Sequence, residues 1–117
     1  MSCGENITIT EYELINNMDI QRFIRTNQFS GTITVMYTDD ITKKSKRKYV
    51  SGKKNGVHEG WWPNGTKKYS FVFKDDTSTG KHFQWHQNGK LFTQKQFKNG
   101  LEQGEQKAWD MNGDLMY

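Results

Sequence analysis

Three observations predict a mainly β fold: an antiparallel meander of 24-residue hairpin repeats with a short N-terminal α/β cap. Gly56, Gly80 and Gly104 open successive units, Trp61, Trp85 and Trp109 follow, and Asn64-Gly65, Asn88-Gly89 and Asn112-Gly113 come three positions after each tryptophan. Hydrophobic residues make up only 32% of the chain while aromatics reach 14%, so its core is built from rings, which strands accommodate well. Eleven glycines against the single proline Pro63 indicate many tight turns. A chain of 117 residues has room for one modest core, so the cap, residues 1–30, and the repeat sheet, residues 31–117, are expected to share a single domain.

Taken in order, "NITITEYELI" fits either a strand or a first helix opened by the capping-box pair Thr10 and Glu13. After Asp19, the helical spacing of Ile20, Phe23 and Ile24 predicts a short amphipathic helix that covers one face of the sheet. Strands are expected near 31–38, 43–50, 57–62, 66–74, 81–86, 90–98 and 105–110, with a short last one near 114–117. The Asn-Gly pairs predict type I′ hairpin turns, which need positive φ at both central residues. One period before the first full unit, Tyr37 falls at the tryptophan position and Tyr49 at that of Phe73 and Phe97.

Side chains alternate along a strand, which divides them between two faces. The expected buried face holds Val57, Trp61, Tyr69, Phe71, Phe73, Phe83, Trp85, Leu91, Phe97 and Trp109. His58, Lys68, Ser70, His82, Gln84, His86 and Gln94 are expected on the solvent side, with Trp62, Val72 and Phe92 as apolar exceptions.

The net charge of +4 is concentrated: Lys43, Lys44, Lys46, Arg47, Lys48, Lys53 and Lys54 lie in one acid-free stretch, and the rest of the chain carries more acids than bases. Such an arm suits an acidic protein surface or phosphates, or serves only as a solvated edge strand. His82 and His86, four apart, would share a metal on a helix, but on a strand they lie about 13 Å apart and cannot. No serine or cysteine occupies a nucleophile context, and the glycines are spaced for hairpins rather than for phosphate loops. Catalysis, a metal and a cofactor are therefore not expected. The single cysteine, Cys3, allows no internal disulfide, and no stretch approaches the roughly 20 apolar residues of a membrane span, so a cytoplasmic protein is expected.

The pattern G-x4-W-x2-NG, followed by Phe73-Lys74 or Phe97-Lys98 and a glycine-containing turn, resembles the MORN-repeat variant family over about residues 49–117. The resemblance implies a cytoplasmic, antitoxin-like protein that binds and restrains a partner protein. A toxin, or a host nucleic-acid enzyme whose charged groove is occupied, is the partner expected. The residues that break the repeat, Trp62 and the Lys43–Lys54 arm, together with His82 and His86, are the candidate contacts. Nucleic acid bound to the lysines is the alternative, and the edge strand near 105–117 invites homodimerisation.

Overall fold

The computed structural model describes residues 5–17 and 19–117; Cys3 lies outside them. The chain runs β1 (Glu5–Thr10), α1 (Glu11–Asn17), α2 (Ile20–Thr26), β2 (Gly31–Met36), β3 (Lys43–Val50), β4 (Lys53–Lys54), β5 (Gly56–Trp61), β6 (Lys67–Lys74), β7 (Thr77–Ser78), β8 (Gly80–Trp85), β9 (Leu91–Lys98), β10 (Leu101–Glu102) and β11 (Lys107–Ala108). These strands form one sheet ordered β1-β2-β3-β5-β6-β8-β9-β10, with β4, β7 and β11 paired beside the path. Only β1 and β2 are parallel, which requires the two helices as a crossover; the remaining pairs form the expected antiparallel meander.

The ambiguous first segment is both elements in succession. After β1, the Glu13 N–H donates to Thr10 Oγ1 and the Thr10 N–H to Glu13 Oε1, both at 3.2 Å, which is the expected capping box. Asp19 caps α2 by accepting the Arg22 N–H at 3.0 Å. The helix then buries Ile24 against Ile9, Phe29, Ile33, Val35 and Tyr49, with Ile7, Leu14, Ile20 and Phe23 packed around them. This cluster, aliphatic at its centre with Phe23, Phe29 and Tyr49 beside it, covers one face of the β1–β3 end only.

Two kinds of turn connect the meander, and their assignment differs from expectation. Type I′ geometry falls at Ser51-Gly52 (φ 49 and 81), Asp75-Asp76 (49 and 68) and Asn99-Gly100 (53 and 82). At Asn64-Gly65 and Asn88-Gly89 only the glycine is left-handed. There Asn64 Oδ1 accepts the Thr66 N–H at 2.9 Å, and Asn88 Oδ1 the Lys90 N–H at 3.0 Å. The Gly65 N–H also donates to the Trp62 carbonyl at 2.9 Å, so the loop is a three-residue one closed by a glycine bulge. The final strands are shorter than expected: β11 holds two residues, and 114–117 contributes a bridge from Leu115 to Trp109.

The assignment of faces changes as well. Directly opposed residues share a face, and the ladder opposes His58 to Phe71, Gly60 to Tyr69, and His82 to Lys95. The histidines therefore join the phenylalanines inside, only 3% and 6% exposed. Val57 opposes Val72, Phe83 opposes Ser70 and Gln94, and Trp85 opposes Leu91 on the reverse face, where Val57 is exposed. Alternation within each strand is as expected, but the register sets Tyr69, Phe71 and Phe73 on the histidine face rather than the tryptophan face, and Gly60 leaves the space that Tyr69 fills. A Cβ on Gly60 would come closer than 3.0 Å to three atoms of the Tyr69 ring.

The buried histidines have a backbone task. Between β4 and β5, Asn55 bulges and its N–H donates to the Lys48 carbonyl at 3.0 Å; Thr79 and Gln103 repeat this to Val72 and Gln96 at 3.0 and 2.8 Å. His58 Nε2 lies 2.7 Å from the Lys48 carbonyl oxygen, and His82 Nε2 lies 2.9 Å from that of Val72 and 3.2 Å from that of Thr79. In the third unit Gln106 Nε2 donates to the Gln103 carbonyl at 3.3 Å. Each side chain adds a polar contact to the backbone where the strand is interrupted, and the His58 and His82 Nε2 atoms also lie 3.1 and 3.2 Å from the Lys48 and Val72 backbone nitrogens.

Candidate binding face

A row of rings crosses the inner face from the cap towards β9. Phe29 and Tyr49 centroids are 6.3 Å apart, Tyr49 and His58 5.5 Å, His58 and Phe73 5.0 Å, Phe73 and His82 5.7 Å, and His82 and Phe97 4.5 Å. Tyr69 stacks on Phe71 at 4.8 Å, and Phe71 on His82 at 5.0 Å. The row is sealed at one end by α2. Beyond β3, Tyr69, Phe71, Phe73 and Phe97 are only half-buried.

At that boundary lies a hollow of about 300 Å³ lined by Arg47, Lys54, His58, Tyr69, Phe71 and Phe73. A second, of about 270 Å³, lies towards α1 between Leu14, Tyr37, Lys44, Trp61 and Lys68, and shares Arg47 and Tyr69 with the first. Arg47 is half-buried, and among the described residues no carboxylate pairs with it. Burial alone would lower its pKa, but the phenol groups of Tyr69 and Tyr49 beside it raise it overall. Lys54 Nζ sits 4.8 Å from the Phe73 ring centroid. Burial pushes the His58 pKa down to about 4, with Arg47 and Lys54 adding to the effect against the opposing hydrogen bond to the Lys48 carbonyl, so the imidazole is neutral at pH 7. Burial lowers His82 too, and it raises the Tyr37 phenol, to which the Glu11 carboxylate adds.

Strand alternation splits the basic arm. Arg47 and Lys54 face the rings, and Lys44 reaches Tyr37, 5.9 Å from its ring centroid. Lys46, opposed to Glu59, and Lys48, opposed to Thr32, point to the reverse face. Lys43 Nζ lies 5.6 Å from the Trp61 ring centroid, which Lys67 also approaches while pairing with Glu59; Lys53 is exposed at the turn. The arm is thus not one patch.

Trp62 and His86 belong to a different device. The Trp62 indole N–H donates to the Trp85 carbonyl at 3.0 Å, His86 Nε2 donates to that of Trp109 at 2.8 Å, and the Tyr37 hydroxyl donates to that of Trp61 at 2.6 Å. These three side chains staple each hairpin tip to the next. Tyr37 is therefore the counterpart of Trp62 rather than of Trp61, and Met36, opposed to Lys43 as Trp61 is to Lys67, holds the tryptophan position. Trp62 is half-buried, with Lys68 Nζ 4.6 Å from its ring centroid, and is not an unpartnered anchor. His82 is enclosed by its clamp. The open rings and the special position of Arg47 escaped sequence reasoning; the recurrence of His58, His82 and Gln106 at one spacing was the available signal for the clamps.

Among the described residues no group of three or more His, Cys, Asp or Glu could hold a metal, and no helix is long and apolar enough to cross a membrane. What the first hollow offers chemically is two half-buried cations, Arg47 and Lys54, among aromatic rings, with Lys44 and Lys68 lining the second. No family model matches the chain, and no curated protein or solved structure matches it.

Proposed function

We propose that the chain is a non-catalytic protein-binding module, antitoxin- or inhibitor-like, that holds and restrains an acidic partner protein on the open part of its ring-lined face. The observation that carries this reading is the Arg47–Lys54 hollow, a cationic, aromatic recess without a carboxylate of its own among the described residues. Aromatic side chains and arginine are the residues that contribute most at protein interfaces, and a half-buried guanidinium gains most from a partner that completes its hydrogen bonds. The resemblance to MORN-repeat variants implies the same class. The test is affinity capture from native lysate with the purified chain, followed by co-elution at fixed stoichiometry. An acidic protein retained by the wild type and released by Arg47→Glu/Lys54→Glu is expected; retention of nucleic acid alone would overturn the reading.

A second reading, nucleic-acid binding, is favoured by the reverse face, where Lys46 and Lys48 project in alternate positions. It requires an affinity for random oligonucleotides that falls steeply with salt and is lost in Lys46→Glu/Lys48→Glu. No binding at low salt would remove it.

A further inference from the structure

The geometry points to a specific ligand for this face: we propose that the groove centred on Arg47 binds a carboxylate that stands beside an aromatic side chain in an extended acidic segment of the partner. This rests on the protein-binding reading and names the chemistry of its contact.

The cations come first. Arg47 lies beside Tyr69 in the lining of both hollows, and its planar fork matches a carboxylate through two parallel hydrogen bonds. A half-buried guanidinium without an acid has lost water and gained no ion in return, so an incoming carboxylate meets a site whose desolvation has partly been met in folding. The nearby acids stand outside the first hollow, although the buried Glu11 Oε2 has no hydrogen-bond partner. Asp76 Oδ1 accepts the Lys54 N–H at 2.7 Å, and Glu11 acts on Tyr37 at the far end of the second hollow; neither lines the first hollow.

The rings decide between an acidic peptide and a nucleic acid. Tyr69 and Phe71 stack at 20° and Phe71 and His82 stack at 20°, so Phe71 is stacked on two rings, while the Tyr69 ring packs on Gly60 and Lys54 sits over Phe73. Bases stacking on a protein need free ring faces. Ring edges are the positive part of the quadrupole and favour an anion or the face of another ring set edge-on. A hollow of about 300 Å³ is at the small end of ligand pockets and accommodates one aromatic side chain. The adjoining hollow of about 270 Å³, which shares Arg47 and Tyr69 with the first, receives the next side chain on the same side of an extended segment.

The experiment uses the full chain and the synthetic probe acetyl-Asp-Phe-Glu-Phe-Asp-amide, with an Asn/Gln version as its neutral control, measured by calorimetry and by arginine side-chain NMR. The acidic peptide is expected to bind at least about tenfold more tightly than the neutral one and to shift the Arg47 guanidinium resonance. Arg47→Met is expected to abolish that difference. Lys54→Gln, which removes the charge and keeps the backbone bond to Asp76, is expected to reduce it several-fold, and Lys46→Glu/Lys48→Glu on the reverse face to reduce it little. Equal binding of the two peptides, loss through the reverse-face variant instead, or displacement of the peptide by a dT oligonucleotide from an unshifted Arg47 would each overturn the proposal. A native protein partner still captured by Arg47→Met/Lys54→Gln would overturn the groove while leaving the protein-binding reading standing. Tight peptide binding by a chain that captures no protein would overturn the wider reading instead.

Discussion

The two ends of the sheet solve the problem of an apolar face differently. At the β1–β3 end, α1 and α2 lie on it, and Ile9, Ile24, Ile33 and Val35 form an aliphatic core from which water is excluded. From β5 onwards no helix of the described residues covers the same face, and rings tile it sideways, each touching the ring on the next strand. The capped end is stabilised by burial under a second layer; the open end relies on ring pairs at about 0.5–1.5 kcal/mol each and on side chains that staple one hairpin to the next. The difference teaches where binding can happen. A face that is held together laterally does not need a lid, and so can receive a partner.

The strongest way to break the comparison is at the cap. Ile24, 2% exposed, is the most enclosed residue of the helical layer, and Ile24→Ala is expected to cost about 3–4 kcal/mol by denaturant unfolding. A loss below about 1 kcal/mol would mean that the repeat sheet does not depend on its cap.

Acid tests the open end. His58 titrates near 6.5 in the unfolded chain and near 4 when folded, so between those values the unfolded state binds a proton that the folded state refuses. Stability is thus complete above pH 6.5 and falls as the pH drops towards 4, by up to about 3 kcal/mol from His58, with His82 adding in the same direction. The double variant His58→Gln/His82→Gln places at both positions the residue already used at Gln106, and is expected to remain folded with this acid limb flattened. An unchanged slope in urea melts from pH 7 to 4 would assign the acid sensitivity to other groups.

The smallest expected effect is the sharpest in location. Gly60→Ala sets a methyl against the Tyr69 ring at a distance no real Cβ tolerates, and is expected to cost about 1–3 kcal/mol. Because Tyr69 lines both hollows, the same change is expected to weaken binding of the acidic peptide without touching a cation. Unaltered stability together with unaltered binding would show that the ring moves aside freely.

Much of the fold was legible before any coordinate. The glycine and tryptophan spacing announced hairpins, Thr10 with Glu13 and Asp19 announced the helix starts, and Tyr49 was correctly aligned with Phe73 and Phe97. Less of the site was legible. Trp62 and His82 stood out by type, yet one staples hairpin tips and the other clamps a bulge, because a side chain's employment depends on which backbone groups its neighbours leave unsatisfied.

What the sequence determines by itself is therefore local and periodic: where strands reverse, where helices begin, and that the core is aromatic. Pairing register decided the rest. It turned His58 and His82 towards the phenylalanines, put Lys54 on the same side as Tyr49 and Arg47, and set Arg47 beside Tyr69 from strand β6. The physical reason is that strand side chains have a period of two, so a single residue of register or bulge exchanges the faces, and that residue is settled only when neighbouring strands meet.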